Sequence, residues 1–164
     1  MSFADQPTSV RFMAMGDEAE GVFENAKPLG NAVRFGWRKP KGISISNMPP
    51  HLRHTPDYMT ESGYFVEVVG LGRDGILKGV KPEKYEALKV WNRISKMLGG
   101  KGVLLFCWNS SWRTYAIMDM NTVKGLVQRA KNRGVETFQD GGEYYPIEWR
   151  WIVEKAVILE KWDG

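Results

Sequence analysis

The chain is poor in cysteine and histidine and has no long apolar run, and each scarcity removes a class of explanation. Cys107 is the single cysteine among 164 residues, so no disulfide can close within the chain and no cysteine-based zinc site can form. That composition suits a reducing cytoplasm. No apolar stretch approaches the ~20 residues needed to span a bilayer. The opening residues, Met1-Ser2-Phe3-Ala4-Asp5-Gln6-Pro7, lack the basic and apolar regions of a secretory signal, so a cytoplasmic protein without membrane attachment is expected. There is no internal repeat, no glycine-rich phosphate loop and no boundary dividing the chain in two. The 43% hydrophobic content excludes wholesale disorder. The length suffices for one domain with a sizeable core.

What is present is a mild basic excess, 23 Lys and Arg against 19 acids, for a net charge of +4. This permits nucleic-acid binding without demanding it. The more specific signal is His54-Thr55-Pro56-Asp57-Tyr58 followed by Tyr64-Phe65-Val66-Glu67-Val68-Val69-Gly70. Pro56 locks φ and removes a ladder donor, which places Asp57 at a strand edge or kink. Glu67 interrupts a valine-rich run with the length and β-branching of a buried strand, bounded by Gly63 and Gly70. A lone carboxylate there is costly unless its charge is offset. A divalent cation shared with Asp57 would offset it, and the intervening nine residues suit a tight hairpin that brings the acids together. As purely structural residues, Asp57 reads as a turn residue and Glu67 as a strand residue with a local Arg partner.

Along the chain, residues 1–15 read as irregular and Gly16–Lys27 as a helix with an apolar stripe of Ala19, Val22, Phe23 and Ala26. Asp17 with Glu20 three residues on also satisfies the logic of a capping box. Asn31–Arg38 alternates Val33, Phe35 and Trp37 against Arg34 and Arg38, the pattern of a half-buried strand with a basic outer face. Arg34, Arg38, Lys39, Lys41 and Arg53, with Lys81 further on, are candidate phosphate contacts, and solvated surface charge is the competing reading. His51 and His54 are loop residues or DNA contacts. Strands are expected at 51–59, 64–69, 103–108 and 113–118. Helices are expected at 82–98, with Tyr85, Leu88, Trp91, Ile94 and Leu98 inward, and at 122–133, capped by Asn121 and closed by Gly134. The exposed side of the second is basic. Tyr144–Trp162 favours a helix after Pro146.

The Pro56-Asp57 and Glu67 pattern resembles the active-site motif of the PD-(D/E)XK nuclease superfamily. Val69 stands where that motif has Lys. Gly16-Asp17-Glu18-Ala19-Glu20 resembles the acid-bearing first helix of its resolvase-type members. The resemblance spans about residues 12–120, with 121–164 as a C-terminal helix and aromatic extension of a single domain. It implies an α/β fold with a restriction-endonuclease-like αβββαβ core, a mixed central sheet flanked by helices. It further implies Mg²⁺, replaceable by Mn²⁺, held by Asp57, Glu67 and the Val68 carbonyl. Glu20 would serve a second metal or a water, and Lys78 would replace the absent amine. The similarity is greatest to phage-type Holliday-junction resolvases, which implies a homodimer hydrolysing phosphodiester bonds in branched DNA within a bacterial cytoplasm. Two other readings remain open: a DNA-binding protein on this fold that Val69 has left without activity, and a protein-interaction module built on the seven tryptophans.

Overall fold

A computed structural model describes residues 8–36, 42–138 and 141–164. The chain begins with helix α1 (Thr8–Ala26), the three-residue strand β1 (Ala32–Arg34) and a single helical turn, α2 (Pro50–Arg53). Strands β2 (Tyr58–Thr60) and β3 (Tyr64–Gly70) form the hairpin, and β4 (Ile76–Leu77) leads into helix α3 (Pro82–Met97). Next come β5 (Gly102–Asn109), β6 (Thr114–Asp119) and helix α4 (Met120–Arg133). The chain ends with β7 (Glu136–Thr137), β8 (Glu143–Tyr144), β9 (Ile147–Glu148), α5 (Trp149–Lys155) and β10 (Ile158–Lys161).

Six strands make one mixed sheet in the order β1-β2-β3-β5-β6-β10. The β3–β5 pair is parallel, as a crossover through α3 requires, and the other pairs are antiparallel. All eight residues of β5 are buried. A strand covered on both faces loses the apolar–polar alternation, which is why Val103–Trp108 reads as one apolar block. Alternation assigns each side chain to a face. Val66, Val68, Leu104, Phe106 and Ile117 pack under Ala19 and Phe23 of α1. Val69, Val103, Leu105, Cys107 and Met118 pack under Leu88, Val123, Leu126, Val127, Trp151 and Ile152 of α3, α4 and α5. Burial pushes the Cys107 thiol up to about 12, which makes it an inert apolar filler.

The mixed sheet flanked by helices is as expected from sequence, and six features differ. Helix α1 starts eight residues earlier than expected, because Thr8–Met15 continues it. That places Asp17 and Glu20 inside the helix, so no capping box forms there. Residues 51–59 are not one strand: Pro50 starts a helical turn, and pairing begins only at Tyr58, after Pro56. Val33 is 65% exposed rather than buried, since β1 is an edge strand outside the cover of α3. Leu98 is 80% exposed, lying past the end of α3. The cap of α4 is Asp119, whose Oδ1 accepts from the Thr122 N–H at 2.8 Å, so the helix starts one residue before Asn121. The aromatic C-terminal stretch is not one helix. Ile147–Glu148 pairs with β4, α5 follows, and Ile158–Lys161 joins the main sheet beside β6.

Candidate active site

The β2–β3 hairpin sets the geometry. In its register Tyr58 faces Val66, so extending the pairing by one residue sets Asp57 opposite Glu67. Tyr58 and Val66 belong to the α1 side, which leaves both acids facing α3. The Asp57 backbone is fixed from its other side. Its carbonyl accepts from the Phe35 N–H at 2.8 Å and the Gly36 N–H at 3.2 Å. Gly36 is required for this approach, since a Cβ there would lie 2.7 Å from the Pro56 carbonyl oxygen. Asp57 Oδ2 accepts from the Val68 N–H at 2.9 Å, and so takes the place of a backbone partner just where β2 has ended.

Glu67 is 4% exposed. Its pKa is raised well above the ordinary carboxyl value, first by burial and then by the Asp57 charge, with Lys84 opposing and Glu20 adding. Burial and the facing Asp57 charge together favour leaving a proton on Glu67. Lys84 of α3 stands against this pair, with its Nζ 4.0 Å from Glu67 Oε1.

Lys78 is engaged in its own turn, its ammonium 2.7 Å from Asp74 Oδ2. Lys84 was not singled out from sequence. Its signal was its position four residues before Leu88 and seven before Trp91, on the stripe of α3 that faces the sheet. Val69 packs in the core and meets Gly79, so no amine reaches the site from that position. Glu20 lies in α1 on the far side of the sheet, its Oε1 3.1 Å from Arg34 Nη1. Arg34 Nη1 donates in turn to the Tyr58 hydroxyl at 3.2 Å, and that hydroxyl donates to Glu24 Oε1 at 2.5 Å. Glu20 therefore acts on Glu67 as a nearby charge while its carboxylate is held by Arg34.

A cationic rim borders the acids. Arg53 Nη2 lies 3.1 Å and His54 Nε2 3.8 Å from Glu83 Oε2, which docks α2 on the first turn of α3. The His54 pKa is lowered, by burial first and then by Lys84 and Arg53. The Lys81 ammonium lies over the Phe138 ring at 5.4 Å. Beside the rim, Phe35, Phe65 and Trp91 form an aromatic cluster with centroids 4.7–5.8 Å apart. Trp91 Nε1 donates to the His51 carbonyl at 3.0 Å. Arg38, Lys39 and Lys41 lie outside the described residues.

Oxygen donors suit a hard cation. In an extended strand the N–H and C=O of one residue point to the same side. The Val68 carbonyl is thus directed toward Asp57, which accepts from the N–H of that residue. Asp57, Glu67 and this carbonyl would give three oxygen ligands, the chemistry magnesium prefers while it keeps several waters. Among the described residues no group of three or more His, Cys, Asp and Glu side chains is arranged to hold a metal, so such a site would rest on two acids and a carbonyl. No protein-family model, curated protein or solved structure matches the chain.

Proposed function

We propose that the protein is a metal-dependent DNA endonuclease with a restriction-endonuclease-like core, acting as a homodimer on branched DNA in the manner of a Holliday-junction resolvase. The observation that carries this reading is the buried Asp57–Glu67 pair with the Lys84 ammonium beside it. With the single-turn α2 and the two-residue β4 set aside, the order α1, β1, β2, β3, α3, β5 supports the reading of an αβββαβ core. Asp57, Glu67 and the Val68 carbonyl would hold Mg²⁺ or Mn²⁺, which when bound lowers the pKa of a coordinated water and relieves charge on the phosphate. Lys84, in place of the lysine missing at Val69 and rather than Lys78, orients the attacking water and donates to the phosphate oxygens. Arg53 and Lys81 line the approach and attract the backbone. Glu20 holds Arg34 in place and adds negative field behind Glu67.

The test is nicking of a labelled four-way junction with and without Mg²⁺. Asp57→Ala, Glu67→Ala and Lys84→Met each lower the rate by about 10²-fold or more, while Lys78→Met stays near wild type. Cleavage that survives both acid substitutions overturns the assignment. Val69 supports a second reading, a DNA-binding protein without activity whose acids share a proton instead of a metal. Calorimetry with Mg²⁺ and Mn²⁺ separates the two: junction binding without metal binding favours the second.

A further inference from the structure

On the flank of α3 away from Trp91, a cavity of about 420 Å³ opens between α3 and the start of α4. Tyr85, Glu86, Lys89, Asn92 and Arg93 line it from α3, and Met120, Asn121 and Lys124 from α4. Its charges are unbalanced. Glu86 is neutralised by Lys89, with Oε2 and Nζ 2.9 Å apart. Among the described residues Arg93 and Lys124 make no ion pair. Asp119 stands nearby, but its side chain caps α4 by accepting from the Thr122 N–H. Lys89 and Lys131 both lie over the buried Tyr85 ring, at 4.8 and 6.0 Å from its centroid, and add further positive charge along the same flank. The volume is that of a small-molecule site, and the lining offers cations and carboxamide donors with an aromatic wall.

Lys89, Arg93 and Lys124 line the groove against the single carboxylate of Glu86, so its lining carries net positive charge that an anion would balance. We propose that this groove binds a phosphate ester, with Arg93 and Lys124 as the principal contacts and Lys89 and Asn92 supporting them. The ester belongs either to a nucleic-acid backbone or to a free nucleotide, since both present the same doubly hydrogen-bonding oxyanion. The inference does not rest on the endonuclease reading, because the acidic pair lies on the other flank of α3 and plays no part in it.

The experiment is fluorescence anisotropy in EDTA at low salt, with two probes measured separately: a fluorescein-labelled thymidine oligonucleotide and a fluorescent ADP analogue. The variants are R93Q/K124Q and, as a control for lost charge, K155Q/K161Q; all four lysines and arginines are exposed. Binding of either probe that falls about tenfold or more in R93Q/K124Q, but less than about threefold in the control, supports the site. For the oligonucleotide, a single strand, the salt slope also falls by about 1.4. Loss with the oligonucleotide identifies the ligand as backbone, and loss with the ADP analogue alone identifies a free nucleotide. Equal loss in both variants, or binding of neither probe by the wild type, overturns the proposal. Both probes are read in EDTA, where no metal-dependent cleavage takes place, so a failed nuclease assay and a failed groove are separate results. Matched melting temperatures exclude misfolding as the cause.

Discussion

At the scale of single residues, the unusual feature is a glutamate in the middle of a valine strand. Its burial raises its pKa, and the facing Asp57 charge raises it further. A carboxyl with a folded pKa above its unfolded value holds its proton more tightly in the native state. Its contribution to stability is therefore full below the ordinary carboxyl range and is lost as pH rises through the raised value. Glu67→Gln keeps the shape and hydrogen-bonding capacity of the protonated acid but does not titrate. In EDTA the variant and the wild type should denature at the same urea concentration at about pH 4, and the variant should be the more stable at about pH 8. A stability difference that does not change with pH would show that Glu67 is not the proton-holding member of the pair. The sign reverses with a divalent ion bound, since a cation ligated by the wild-type pair requires both acids ionised.

At the scale of elements, most helices and strands have their cause in local pattern, and so does one unused reserve of stability. Gly21 in α1 and Gly125 in α4 sit inside helices, and a Cβ at either meets nothing within 4 Å. Alanine there removes unfolded-state freedom without a clash, so each substitution should stabilise by about 0.5–1 kcal/mol, a rise of roughly 1–4 °C in melting temperature. A fall in either variant would mean that the helix is not continuous through that position. The same local logic explains which parts of the fold were legible. The runs at β3 and β5, the Pro82 start of α3 and the Gly134 stop of α4 are all short-range signals, and they stand where the pattern put them. The pairing of Asp57 with Glu67 was legible too, because one hairpin register determines it. The C-terminal stretch was not: Ile158–Lys161 is a strand only because β6 offers it an edge. Lys84 was legible only as a residue on the sheet-facing stripe of α3; its place beside Glu67 depends on where α3 crosses the sheet, a tertiary fact that spacing does not contain.

At the scale of the molecule, the sheet is held from two sides by separate apolar clusters; β3, β5 and β6 contribute to both, and β5 is the one of them buried along its whole length. Phe106 packs against Phe23 of α1 and Tyr115 of β6, with centroids 5.2 and 5.1 Å away, while its neighbours Leu105 and Cys107 face α3 and α4. Opening a β5 amide therefore requires both clusters to come apart, which is close to unfolding the whole domain. The sheet's ends differ. Strand β1 has three residues, none fully buried, and is bonded only to β2; β10 has four, three of them exposed, and is bonded only to β6. Each can fray while both clusters stay intact. Native-state hydrogen exchange should accordingly rank the β5 amides with the global stability and those of β1 and β10 at least about 10³-fold faster, a gap of roughly 4 kcal/mol. The acidic pair lies between these limits, on β3 and just before β2. The Val68 amide, which donates to Asp57, should exchange faster in Asp57→Ala than in wild type, while the β5 amides respond only as far as global stability changes. If β1 and β10 proved as protected as β5, the two clusters would have to open together, and the picture of a rigid central strand with loosely held margins would fail.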